Sequence, residues 1–205
     1  MSKLLVAKVT VRGTRPLMWH RFGPDSLPLE RQERTGVAGN DPEEWKRTYT
    51  ATNEGHLYVD PSYIFGTIRE GAKYTPKKRG TIQPMVAATL QVLDSLVFLT
   101  NRAMPQDLTE DPTQPIYLDI RSVKNPVTKA RNVRYRVAAS PGWEMKFTIM
   151  WEAIIVSRGE MEKAVSDAGR FCGIGDGRSI GFGRFEVVSW EVSDAEESAT
   201  TRSLA

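Results

Sequence analysis

A chain of 205 residues with 40% hydrophobic and 26% charged residues has the composition of a globular protein with a core of its own. The formal net charge of +3 is mildly basic, so a nucleic-acid partner must be argued from where the cations lie. One cysteine excludes an internal disulfide and a cysteine-built zinc site, and we expect neither a metal nor a cofactor. No apolar run could span a membrane and no signal peptide is recognised, so we expect a cytoplasmic location.

The first half of the chain predicts a strand, a long excursion and a capped helix. Alternating apolar residues favour a strand over residues 4–12, and a short strand is predicted over residues 56–59. The segment between them, residues 13–55, is rich in proline, glycine and charge and is too long for an idle connection. Asp60 has the character of an N-cap, with Pro61 in the first helical position, so a helix is expected to begin there.

This helix carries two glycines, Gly66 and Gly71, which lower its helical propensity. We therefore expect another element to pack closely against both positions. Further along, residues 85–99 are apolar and fit either a helix or a strand. Residues 100–115 have the composition of a polar loop.

The last third of the chain is patterned more clearly. Between its last two strands lies a helix that begins with the capping box Ser157-x-x-Glu160. The apolar stripe of this helix predicts six core residues: Met161, Ala164, Val165, Ala168, Phe171 and Cys172. The predicted strands cover residues 116–120, 132–137, 145–156 and 185–192.

Residues 172–190 read CGIGDGRSIGFGRFEVVSW and place five glycines within eleven residues: Gly173, Gly175, Gly177, Gly181 and Gly183. A dinucleotide-binding fingerprint needs a strand before its glycines, and here a helix precedes them. A Walker loop needs Gly-Lys-Ser/Thr, which is absent. Glycines in this loop would let backbone N–H groups approach a phosphodiester backbone, with Arg178 and Arg184 adding charge. The alternative is a helix cap at Gly173 followed by a turn and a bulge.

The order helix, G-x-G-x-x-x-x-x-G-x-G, strand resembles the RAMP superfamily, the repeat-associated RNA-binding proteins of CRISPR systems. The segment VTVRGTRPLMWHRFG is similar to the family's first strand and turn, and YVDPSYIFGTIREGAKY to its strand followed by a helix with Gly and Arg. The resemblance implies a ferredoxin-like (RRM-like) core with a long insertion after the first strand. It also implies binding of single-stranded RNA, and by size the nearest type is the backbone subunit that polymerises along guide RNA.

A basic stretch precedes the loop and holds six cations within sixteen residues: Arg121, Lys124, Lys129, Arg131, Arg134 and Arg136. Two of them, Arg134 and Arg136, share one face of a predicted strand at a spacing that fits a track of phosphates. Tyr135 or Trp143 would stack a base. The alternative is a solvated hairpin whose charges prevent pairing of its edge.

A second basic group follows the first helix and includes Arg69 and Lys73. Cations at a helix C-terminus also complement the helix dipole, which is the structural alternative for this group.

The two histidines, His20 and His56, are the candidates for acid–base chemistry. His20 follows the first strand, near the face that the resemblance assigns to RNA. Related subunits that cut target RNA use an aspartate in this region, and Asp25 is the nearest match. The alternative for His20 is a packed, hydrogen-bonded histidine. Cys172 is expected in the core, and no spacing of residues indicates a metal site.

The sequence thus predicts one α+β domain over residues 1–192, with a disordered tail over residues 193–205, that grips the backbone of single-stranded RNA. The expected partners are guide RNA and further copies of the chain or neighbouring RAMP subunits, with no membrane. Two alternatives stay open: a metal-independent endoribonuclease using His20, and a single-stranded DNA-binding protein of a phage or mobile element. Competition between RNA and DNA tests the last of these, because only RNA offers a 2′-hydroxyl.

Overall fold

The computed structural model describes residues 3–21, 23, 41–124, 129 and 131–195. In chain order its strands and helices are β1 (Leu4–Gly13), β2 (Leu17–Met18), α1 (Trp45–Thr48), β3 (His56–Val59), α2 (Pro61–Gly71), β4 (Pro76–Lys77), β5 (Gly80–Thr81), α3 (Gln83–Thr89), β6 (Gln91–Val92), β7 (Val97–Ala103), β8 (Ile116–Lys124), β9 (Arg131–Ala139), β10 (Glu144–Glu152), α4 (Arg158–Asp167) and β11 (Phe185–Asp194). No helix in these ranges is long and apolar enough to cross a membrane.

The largest sheet is antiparallel and has the strand order β11-β1-β10-β7-β3, with β6 also paired to β10. Strand β1 lies between β10 and β11, and its inward residues Leu5 and Val9 stand opposite Trp151 and Phe147. Helices α2 and α4 share one core with the inward side chains of these strands. An antiparallel sheet with helices packed against it belongs to the α+β class, so the predicted class is confirmed.

Local capping signals position both long helices. The Asp60 carboxylate accepts a hydrogen bond from the Ser62 N–H at 2.8 Å, which caps α2. Ser157 and Glu160 form the complete capping box at the start of α4. Both caps are confirmed as the sequence predicts them.

The two glycines of α2 differ in their surroundings. An ideal Cβ at Gly71 would lie 2.4 Å from the Ala164 carbonyl oxygen on α4, so the predicted close packing is confirmed there. An ideal Cβ at Gly66 would meet no atom of the described residues within 4 Å, so the close packing expected at this position is wrong for that part of the chain. Gly71 therefore sets the approach of the two helices, whereas Gly66 leaves an open space beside α2.

A π turn over Ala168–Cys172 continues α4, and its last bond joins the Gly173 N–H to the Ala168 carbonyl at 2.9 Å. The additional residue in this turn shifts the phase of the apolar stripe. Phe171 is consequently 41% exposed, and its predicted place in the core is wrong, whereas Cys172 is buried as predicted. Gly169 allows the turn to approach β11, since a Cβ there would lie 2.3 Å from the Phe185 carbonyl oxygen.

Several element boundaries differ from the sequence prediction. Strand β10 ends at Glu152 rather than at residue 156, and Ile155, which lies within the predicted strand, is exposed in the turn that follows. The ambiguous segment 85–99 divides into the end of α3, β6 and the start of β7, and β7 continues into the predicted loop. Strand β11 runs to Asp194, two residues past the predicted domain boundary, and residues 196–205 lie outside the described residues.

A second antiparallel sheet, of order β2-β9-β8, carries the basic hairpin. Both hairpin strands are longer than predicted, with Arg121 opposite Arg134 and Asp119 opposite Arg136. Like charges that stand directly opposite each other destabilise a strand pair. The repulsion between Arg121 and Arg134 must therefore be offset by the negative charges of nearby acidic residues.

The two glycines of α2 give a matched test of this packing. Gly71→Ala should destabilise the protein by about 1–3 kcal/mol, because its Cβ would collide with the backbone of α4. Gly66→Ala should stabilise it by roughly 0.5–1 kcal/mol, because alanine loses less entropy in an open helical position. Urea unfolding of both variants measures these changes, and equal destabilisation by the two substitutions would contradict the packing described here.

Candidate nucleic-acid interface

An open groove of about 810 Å³ lies where three segments meet: the end of α2 with the turn after it, the glycine loop, and the β8–β9 hairpin. The glycine loop is anchored to β2 by the Asp176 N–H, which donates a hydrogen bond to the Met18 carbonyl at 2.9 Å. It is anchored to α2 by the Thr67 hydroxyl, which donates to the Gly173 carbonyl at 2.9 Å. The groove brings together seven residues that the sequence singled out: Arg69, Arg121, Lys124, Arg136, Gly175, Gly177 and Arg178.

Two of the arginines that line the groove are paired with acids. Arg121 contacts Asp119 at two points, with N···O distances of 2.8 and 2.6 Å, and these hydrogen bonds raise the pKa of Arg121. Its guanidinium also lies 4.6 Å from the centre of the Phe182 ring. Arg136 is buried, with its guanidinium 3.0 Å from the carboxylate of Asp176. The acids already offset much of the charge on these two arginines.

Three further cations of the groove are exposed: Arg69 on α2, Lys124 on β8 and Arg178 in the glycine loop. None of the three makes an ion pair with a residue that the structure describes. The lining as a whole has five cationic side chains and two carboxylates. The groove therefore carries an excess of positive charge that its own acids do not offset.

The glycine loop adds backbone donors to this charge. Within the described part of the chain, the N–H groups of Gly177, Arg178 and Ser179 donate no hydrogen bond. All three residues line the groove, at the start of the short helical turn Arg178–Ile180. Consecutive N–H groups in such a turn are suited to an anion, because each can donate to a separate oxygen.

Internal packing accounts for most of the glycines in the loop. A Cβ at Gly175 would lie 2.4 Å from the Met18 carbonyl oxygen, and one at Gly183 would lie 1.8 Å from the Ile174 carbonyl oxygen. Gly173 caps the π turn with a φ of 83°, as the structural alternative expects. Gly181 has a φ of 89°, and no atom of the described chain lies within 4 Å of its ideal Cβ position. These glycines shape the loop, and its unused N–H groups are the part that can meet a ligand.

Gly66 is the glycine whose missing side chain faces the groove. It lies in the middle of α2, lines the groove, and has no atom within 4 Å of its ideal Cβ position. Glycine inside a helix costs roughly 0.5–1 kcal/mol relative to alanine, and nothing in the described protein requires it here. A ligand that approaches the helix closely would require it.

The remaining predicted binding residues lie away from the groove lining or already have partners. Two of them form ion pairs, Lys73 with Glu70 and Arg134 with Glu44. Two others donate hydrogen bonds, Arg131 to the Ser122 hydroxyl and Arg184 to the Arg170 carbonyl. Lys129 is exposed and has a φ of 61°. The predicted phosphate track of Arg134 and Arg136 thus consists of two arginines that are both paired with acids. Asp25 lies outside the described residues.

The aromatic residues predicted to stack a base are placed differently. Trp143 is fully buried and donates its indole N–H to the Arg15 carbonyl at 2.8 Å, so stacking on Trp143 is wrong. Tyr135 is half-buried on β9. The exposed aromatic residues at the groove are Tyr74 and Phe171, which the sequence analysis did not select. The sequence carries only a weak indication of ligand binding by these two residues. Tyr74 is an aromatic residue among lysines and arginines, and the spacing of Phe171 along its helix is that of a core residue.

His20 does not line the groove, and its charged neighbours include Asp176 and Arg136, which do. Burial lowers the pKa of His20 below its ordinary value of 6.5, Asp176 opposes this shift, and Arg136 adds to it. Its buried Nδ1 has no hydrogen-bond partner among the described residues. From the sequence, the alternative to a catalytic histidine at this position is a packed, hydrogen-bonded one. His20 is packed in this way, but its Nδ1 makes no hydrogen bond with the described residues.

No family model matches the chain, and no curated protein matches it. Among solved structures, the chain is similar to a chain in the cryo-EM structure of the type III-B Cmr-beta bound to cognate target RNA, with 16% identity and a TM-score of 0.50. The match covers 94% of this chain and 62% of that chain, so the chain spans less than two thirds of its neighbour's length. At this identity the match shows similarity of fold.

Acidification should destabilise the protein through His20. The unfolded histidine takes up a proton near pH 6.5, whereas the folded one resists until a lower pH, so this contribution to stability is present above pH 6.5 and is lost below it. His20→Gln should therefore reduce the drop in melting temperature between pH 8 and pH 5. His56→Gln, at an exposed position, serves as the control and should keep the wild-type drop. An identical drop in the wild type and His20→Gln would contradict the effect of burial on His20.

Proposed function

We propose that the chain binds single-stranded RNA by its sugar–phosphate backbone, as a RAMP-like subunit of a CRISPR-type ribonucleoprotein. The observation that carries the proposal is the convergence of Arg69, Lys124 and Arg178, which come from three separate segments, on one groove without acidic partners among the described residues. Cations placed in this way are suited to a polyanion, because each can take one phosphate.

The topology supports the RAMP-like part of the proposal. Strands β1, β7, β10 and β11 are antiparallel and lie in the order β11-β1-β10-β7. Helix α2 falls between the first and second of these strands along the chain, and α4 between the third and fourth. This order of strands and helices agrees with that of a ferredoxin-like β-α-β-β-α-β unit, which we propose as the core of a single domain over residues 1–192. The fold match to a chain of an RNA-bound assembly agrees with it.

The groove is a better candidate than the open face of the sheet, where RRM-like proteins stack bases on aromatic residues. The outward positions of the central strands β1 and β10 include Lys8, Thr10, Arg12 and Lys146, and Arg12 is paired with Glu144. These positions on the central strands offer two exposed lysines and no ring, and the exposed ring on the neighbouring strand β7, Phe98, packs edge-on against Tyr58. Among the described residues, the groove combines cations without acidic partners, N–H groups without acceptors and exposed aromatic side chains.

Removing groove cations should weaken RNA binding and its dependence on salt. For Arg69→Gln with Arg178→Gln, the slope of log Kd against log salt should fall by about 0.7 for each phosphate of the single strand that the variant no longer neutralises. The matched control is Lys8→Gln with Lys146→Gln, which removes the same charge from the open face of the sheet. Fluorescence anisotropy with a labelled RNA over a salt titration measures both. An equal loss in the two double variants would show that binding depends on total charge rather than on the groove, and would contradict the proposal.

Filling the space beside Gly66 tests the shape of the groove without changing its charge. Gly66→Leu should lower RNA affinity at least tenfold, because its side chain would occupy the space through which a backbone approaches α2. Gly66→Ala should bind more nearly like the wild type, and both variants should fold, since position 66 has open space and a helical backbone. Wild-type affinity in Gly66→Leu would show that RNA does not pass this point of the helix.

Guide RNA as the ligand, and self-association of protomers along it, form the finer part of the proposal. The segment that would contact a neighbouring protomer is the long excursion over residues 13–55, of which residues 24–40 lie outside the described residues. Measuring the mass of complexes against RNA length tests self-association: the mass should rise in steps as the RNA lengthens. One protomer at every RNA length would remove this part of the proposal while leaving RNA binding in place.

A further inference from the structure

The groove contains an exposed aromatic pair, and this inference rests on the proposed function of the groove. Tyr74 is 51% exposed and Phe171 is 41% exposed. Their ring centres are 4.7 Å apart with the ring planes tilted by 45°, and both residues line the groove. We infer that Tyr74 and Phe171 form a stacking surface for an unpaired nucleobase of the RNA whose phosphates the groove holds.

Two separate segments supply the pair. Tyr74 ends the short helical turn that follows α2, and Phe171 projects from the π turn that ends α4. A regular continuation of α4 would direct Phe171 to the core, so its exposure is a consequence of the π turn. The fold therefore places a large apolar side chain in solvent next to a second one, which leaves apolar surface unburied within the described part of the molecule.

Charge complementarity indicates a nucleobase as the occupant rather than an apolar side chain of another protein. Arg69 and Arg178 line the same groove as the two rings, and neither makes an ion pair with an acid in the described ranges. Arg170 also lies 5.2 Å from the centre of the Phe171 ring. A nucleotide supplies both an anion for the cations and a flat ring for the aromatic pair.

The pair also restricts the form of the nucleic acid. In a duplex each base is stacked on both sides and paired at its edge, so it presents no open ring face to a protein. A base on Tyr74 and Phe171 must belong to an unpaired nucleotide. Since purine rings offer a larger face than pyrimidine rings, the groove should prefer a purine at this position.

Binding of abasic RNA isolates the stacking contact from the phosphate contacts. The probes are a 12-nucleotide oligoadenylate RNA and the same length of abasic RNA, which keeps the phosphates and lacks the bases. The wild type should bind the oligoadenylate about tenfold or more tightly than the abasic strand at the same salt concentration. Tyr74→Ala with Phe171→Ala should lose this difference by weakening the oligoadenylate complex, with the affinity for the abasic strand unchanged.

Two controls define the result. Tyr74→Phe keeps the ring and should keep the difference between the two probes. Phe98→Ala removes an aromatic residue of similar exposure, 38%, outside the groove lining and should also keep it. Circular dichroism checks that the double variant is folded, and the affinity for the abasic strand provides a second check on the intact phosphate site.

The outcomes separate this inference from the proposed function. If the wild type binds neither RNA at low salt, the proposed function fails and the inference fails with it. If it binds both probes equally, or if the double variant keeps the difference, the phosphate site stands and the stacking inference is overturned. If the double variant changes only the mass of protein assemblies, the pair contacts another protomer and the inference is overturned as well.

Discussion

The close approach of α2 to α4 is the constraint on which the groove depends. Gly71 allows it, because any side chain there would collide with the Ala164 carbonyl, and the Thr67 hydroxyl completes it by binding the Gly173 carbonyl at 2.9 Å. The contact fixes the end of α2 against the start of the glycine loop. Arg69 and Arg178 thereby come to line the same groove, and the open side of the helix, at Gly66, becomes one wall of it.

The charges of the groove fall into two groups with different consequences. Arg121 and Arg136 are held by Asp119 and Asp176, and they stabilise the hairpin and its contact with the loop. Removing either arginine would leave an acid without its partner, so a loss of binding in such variants could reflect a loss of folding. The exposed cations Arg69, Lys124 and Arg178 lack acidic partners among the described residues, and their removal leaves the internal ion pairs intact.

The features that the sequence predicted correctly are those that depend only on residues close together in the chain. The caps at Asp60 and Ser157 and the alternation of β1 are local, and all three are as expected. Phe171 was misplaced because its prediction assumed 3.6 residues per turn, which a π turn breaks. Gly66 and Gly71 look equivalent in sequence, and only the position of α4 distinguishes them. The acid that holds Arg136 lies forty residues further along the chain, so sequence spacing could not separate paired cations from unpaired ones.

The most direct test of the central claim is to locate bound RNA by photo-crosslinking. The chain would be irradiated with short single-stranded RNA containing 4-thiouridine, and the cross-linked peptides would be identified by mass spectrometry. Cross-links are expected on peptides that contain the end of α2 with Tyr74 and on the loop from Phe171 to Arg184. Cross-links confined to the outward positions of β1 and β10, around Lys8 and Lys146, would contradict it.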